Sequence, residues 1–140
     1  MRLLAGCLAV HALLARLIPS PWWVPDLTLV GLVMAVSRQP GRWLLICAAA
    51  GLFASVWAVR IAWPIAAGAL VCGGLVRLAA GRWDLADPRV QGGTVVVLSA
   101  LTTLGLVWLE RLWSWPIAAL TVARIAMTGL SLRFLQGLLR

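Results

Sequence analysis

Acid–base or metal chemistry in this chain of 140 residues would have to draw on one histidine, four acids and three cysteines. Asp84 and Asp87, three residues apart, have the spacing of a carboxylate pair on a metal. Asp87-Pro88, however, is the pattern of a helix N-cap followed by proline at the first helical position, and capping is the better account. His11 lies inside an apolar run, where a proton relay or a metal ligand needs a partner. No second histidine and no acid at its depth supplies one, so it reads as a hydrogen-bonded packing residue. Cys7, Cys47 and Cys72 are odd in number and sit in apolar runs, the setting in which cysteine packs as a small hydrophobe. Leu4-Ala5-Gly6-Cys7 matches a bacterial lipoprotein cleavage box but lacks the charged segment and apolar core that must precede one. No Ser/His/Asp set, phosphate-cradling glycine loop or metal-ligand spacing appears. Catalytic, cofactor-binding and metal-ligating residues are therefore not expected.

Two other patterns point to packing and burial. Cys47, Gly51 and Ser55 recur every four residues, as do Ala69 and Gly73 further on, and small residues at that spacing let helix backbones approach closely in lipid. They are expected to contact a sibling helix or a partner. Thr121, Arg124, Thr128 and Ser131 share one face at helical spacing, a polar stripe on an apolar helix. Arg124 stands about nine residues beyond Trp115, roughly 13 Å along a helix and close to the middle of a bilayer core of roughly 30 Å. An arginine facing lipid there costs at least about 2.5–3.5 kcal/mol. It should turn inward, towards backbone carbonyls, Thr121, Thr128 or His11, unless it snorkels to the outer surface.

These residues need elements to hold them, and composition determines the class. The chain is 63% hydrophobic with 11% charged residues and nine tryptophans. Its mean hydropathy is +1.00, more apolar surface than a water-soluble domain of this size can hide. The expected architecture is an all-α integral membrane protein, one domain over residues 1–140 with six transmembrane helices at about 3–18, 26–37, 43–59, 61–80, 90–109 and 115–135. The second helix organises the rest. Pro25 suits its first turn, Asp26 meets its positive dipole end, and Pro40-Gly41 stops it. Its run of about 13 residues reaches only about 20 Å, so it needs help from neighbours or a bent entrance at Pro19–Pro25.

All twelve basic residues are arginine, and the net charge is +8. Because the arginines punctuate apolar runs, the membrane explains them and nucleic acid does not. With the N-terminus in the cytoplasm, Arg2, Arg38, Arg42, Arg77, Arg82, Arg89, Arg133 and Arg140 fall on the cytoplasmic side. Arg16, Arg60 and Arg111 fall outside, the asymmetry of positive-inside insertion, and both termini are then cytoplasmic. Trp22, Trp23, Trp63, Trp113 and Trp115 form an outer aromatic belt, Trp43 and Trp83 an inner one.

The order of these features resembles the bacterial rod shape-determining protein MreD family over about residues 20 to 137. The resemblance rests on Pro25-Asp26 opening a short leucine-rich helix, Arg38-Gln39-Pro40-Gly41 closing it, and Gly51 in the third helix. The loop RWDLADPRVQ before the fifth helix and the C-terminal arginines add to it. One departure stands out: members commonly carry an acid late in the third helix before a Ser-Gly turn, where this chain has Trp57-Ala58-Val59-Arg60. The resemblance implies a divergent, non-enzymatic scaffold subunit of the cell-wall elongation complex in the bacterial inner membrane. It also implies an MreC-like membrane-anchored partner and, in a larger complex, the RodA glycosyltransferase, a class-B penicillin-binding transpeptidase and MreB. The family's fold is similar to the substrate-binding subunits of energy-coupling-factor transporters. The alternative function is therefore a small-molecule-binding transport subunit, which would need a pocket with convergent polar groups near its outer face.

Overall fold

The computed structural model describes residues 2–56, 62–109, 111 and 114–138, with the backbone alone for Pro21 and residues 62–64. Among these residues the chain is all-helical, with α1 (Arg2–Leu17), α2 (Leu27–Arg38), α3 (Trp43–Val56), α4 (Ala62–Ala80), α5 (Pro88–Leu109) and α6 (Trp115–Leu138). Two of them, α5 and α6, are long and apolar enough to cross a membrane. The expected third-to-fourth hairpin turn, Glu110, Arg60, Trp113, Arg140 and the side chain of Trp63 lie outside the described residues.

Local chemistry accounts for the helix ends. Asp26 is the N-cap of α2, its carboxylate accepting from the Leu29 N–H at 3.0 Å. Pro25 therefore precedes the cap and does not occupy the first helical turn, because the carboxylate satisfies a free amide only from the capping position. The entrance is bent as expected, through a 3-10 turn at Pro21–Trp23. At the other end Pro40 disfavours helical backbone at Gln39, whose φ is −136°, and Pro40–Arg42 forms a second 3-10 turn containing Gly41. Asp87 caps α5 by accepting from the Arg89 N–H at 2.8 Å, with Pro88 as first helical residue. Asp84 accepts from the Ala86 N–H at 2.9 Å within the same loop. Helix α5 thus starts two residues earlier than the expected 90, and α6 runs three residues past the expected 135.

The short helix is the hub. Helix α2 packs against every other helix, and its residues from Leu29 to Val36 are all buried. The core gathers around it: Leu4 and Leu8 from α1, Ile46 and Ala50 from α3, Val76 from α4, Val95 and Leu98 from α5, and Leu132 from α6. Gly31 makes the α1 approach possible, since a Cβ there would lie 2.8 Å from the Cys7 Cβ. The outer helices invert the usual pattern and expose large apolar side chains, among them Leu13, Leu52, Val71, Val97, Val122 and Phe134. Trp23, Trp83 and Trp115 are exposed as well, whereas Trp22 and Trp43 are partly buried.

Candidate functional site: a polar seam and an open groove

The polar stripe of α6 meets the entrance of α2. Thr128 is fully buried; its Oγ1 accepts from the Asp26 N–H at 3.0 Å and donates to the Arg124 carbonyl at 2.8 Å. One hydroxyl thus ties α6 to the N-cap of the hub, 102 positions away in sequence. His11 reaches the same entrance from α1, its Nδ1 lying 3.2 Å from the Pro25 carbonyl oxygen. Ser131 donates to the Met127 carbonyl of its own helix at 2.8 Å, and Thr121 is buried with no partner for its hydroxyl among the described residues. Arg124 is partly buried, and its Nε has no hydrogen-bond partner among the described residues. Together with His11 and Val24 it lines a chamber of about 120 Å³. The structure therefore brings His11, Arg124 and Thr128 together around the Pro25–Asp26 entrance and leaves Thr121 and Ser131 on the same face without a role in that tie.

The small residues lie between α3 and α4. A Cβ on Gly51 would sit 3.1 Å from the Ala66 Cα and 3.4 Å from the Ala69 Cβ. A Cβ on Gly73 would collide with the Cys47 Sγ and meet Trp43 at 3.8 Å. Ser55 donates to the Gly51 carbonyl at 2.6 Å. All five residues singled out by spacing thus belong to one intramolecular helix pair, with the cysteines Cys7, Cys47 and Cys72 buried as free thiols.

A third feature has no counterpart in the sequence reading. Helices α1 and α6 both pack on α2 but do not form a packed pair with each other, and an apolar groove of about 1180 Å³ runs between them. Its walls are Leu3, Val10 and Leu14 on one side and Leu130, Phe134 and Leu138 on the other, over a floor of Leu27, Met34 and Ala35. Arg2, Arg38 and Gln39 stand at one end of it. Helical spacing shows which residues share a face, but a furrow depends on how far apart two helices settle, and no spacing rule reports that. The polar residues Ser99 and Thr103, buried on α5, and a Gln136-to-Gln91 hydrogen bond of 2.7 Å joining α6 to α5 were likewise not singled out from sequence.

Comparison with known proteins gives no match: no family model, no curated protein and no solved structure matches this chain.

Proposed function

We propose that the chain is a six-span scaffold subunit in a bacterial inner membrane, both termini cytoplasmic, that binds an MreC-like membrane-anchored partner within a cell-wall elongation complex. RodA, a class-B penicillin-binding transpeptidase and MreB belong to the same proposed assembly. The family part of this reading rests on the resemblance of Pro25-Asp26, Arg38-Gln39-Pro40-Gly41 and the RWDLADPRVQ loop. Membrane placement is supported by the apolar faces of α1, α3, α4, α5 and α6, which in water would be an aggregation surface. The shortness of α2, 12 residues or roughly 18 Å, fits this placement because sibling helices enclose it and its ends need not meet lipid.

The single observation that favours a scaffold over the transport alternative is the size of the polar chamber at the α2 entrance, since the larger groove between α1 and α6 has apolar walls without convergent polar groups. Small-molecule sites usually enclose about 300–1,000 Å³ with convergent polar groups. The chamber has about 120 Å³, and the hydroxyl of Thr128 beside it is committed to Asp26 and Arg124. Polar groups there support helix packing and leave little to hold a substrate. Co-purification tests the reading: the chain, extracted in mild detergent from cells that also express a membrane-anchored coiled-coil protein of the MreC kind, should bring that protein with it. Recovery of the chain alone, with the partner intact in the same extract, would overturn the assignment.

A further inference from the structure

The groove between α1 and α6 plays no part in the ties just described, and it combines apolar walls with a charged end. Its walls are aliphatic and aromatic, and the hydroxyl of Ser131 within them is already bonded to the Met127 carbonyl, so the walls demand no polar ligand. At one end stand Arg2 and Arg38, both exposed and with no hydrogen-bond or ion-pair partner among the described residues. We propose that this groove binds an anionic membrane phospholipid, its phosphate between Arg2 and Arg38 and its acyl chains along Val10, Met34 and Phe134. The proposal rests on the membrane placement argued above but not on the identity of any protein partner.

Length and charge select this occupant. From Arg2 to Leu14 the groove follows α1 for roughly 18 Å, close to the roughly 15 Å of one leaflet's hydrocarbon, half the roughly 30 Å core. A partner's spanning helix needs the whole core and would outrun the furrow. Guanidinium groups bind phosphate oxygens bidentately, and two of them at the headgroup end give an anionic lipid an advantage that a zwitterionic lipid, with its own ammonium, offsets. The volume of about 1180 Å³ lies above the usual range of about 300–1,000 Å³ for compact small-molecule sites, as a long ligand requires.

The test uses the purified full-length chain in detergent with phosphatidylglycerol or phosphatidylcholine added at equal concentration, reading bound lipid by native mass spectrometry and the melting temperature. Phosphatidylglycerol should be retained several-fold better and should raise the melting temperature more. The double variant Arg2→Gln/Arg38→Gln should lose that preference while Arg77→Gln/Arg82→Gln, outside the groove, keeps it. Gly6→Leu places a side chain in the groove, where a Cβ meets nothing within 4 Å, and should lower retention of both lipids without unfolding the protein. Equal retention of the two lipids by the unaltered chain would overturn the proposal. So would an equal loss in both arginine pairs, or inorganic phosphate reproducing the thermal shift. Membrane placement is tested separately by alkaline carbonate extraction: a chain that stays in the pellet yet shows no lipid preference refutes the groove assignment alone.

Discussion

The α3–α4 pair and the α1–α6 edge are both built from apolar helices, α3 and α4 being the more apolar, and end in opposite states, one closed and one open. Between α3 and α4, Gly51 lies against the backbone of Ala66 and Gly73 against Cys47, so the two helices meet almost backbone to backbone. Between α1 and α6 the facing residues are Leu14, Leu130 and Phe134, too bulky for such an approach, and the space over α2 remains as a groove. The greater hydrophobicity of α3 and α4 does not by itself close them in an apolar medium. Side-chain volume at matched helical spacing explains the difference, because in the proposed membrane setting association is driven by fit and not by exclusion of water. Glycine itself is not sufficient: Gly6 on α1 faces the groove with open space around it.

That contrast is sharpest when tested with one substitution at two sites. Gly51→Leu must displace the Ala66 backbone and is expected to cost about 1–3 kcal/mol or prevent accumulation, seen as a lower melting temperature in detergent. Gly6→Leu, with nothing within 4 Å of its Cβ, is expected to leave stability unchanged or slightly improve it through helix propensity. Comparable losses at both positions would remove the distinction between closed and open edges.

The next effect concerns the seam. Thr128→Val deprives the Asp26 N–H of its acceptor and is expected to cost on the order of 1–3 kcal/mol. Thr121→Val removes a buried hydroxyl with no hydrogen-bond partner among the described residues and is expected to be neutral or stabilising. Asp26→Ala, which removes the cap on Leu29 but keeps the backbone tie to Thr128, should cost about 1 kcal/mol, within the usual range of about 0.5–2 kcal/mol for N-caps. Chemical denaturation of the four proteins in one detergent would order them. Arg124→Leu is expected to cost less than Thr128→Val, because its Nε is buried without a partner among the described residues and its loss offsets the lost packing.

Much of this was legible in the sequence because it is local. Pro25-Asp26, Gln39-Pro40-Gly41 and Asp87-Pro88 state where α2 starts, where it stops and where α5 begins, each through backbone chemistry within four residues. The spacing of Thr121, Arg124, Thr128 and Ser131 placed them on one face, and that of Cys47, Gly51 and Ser55 on another, because helix geometry is fixed. What those faces touch was not legible. The link from Thr128 to Asp26 spans 102 positions, the collision-free approach of Gly31 to Cys7 needs two helices placed side by side, and the groove is set by the separation of α1 from α6. A short helix between two proline turns announced itself as unusual, but its enclosure by all five others follows only from the assembled packing.

The proposed function and the lipid groove both require the bundle to lie in a membrane with its Arg38 end inside. Single cysteines at Ala86 and Ser114, both exposed, in a background where Cys7, Cys47 and Cys72 are alanine, test this directly with an impermeant thiol reagent on intact spheroplasts. In that orientation the Ser114→Cys protein is labelled at once and the Ala86→Cys protein only after the membrane is permeabilised. Labelling of the Ala86→Cys protein in intact spheroplasts, or equal labelling of the two, would contradict it.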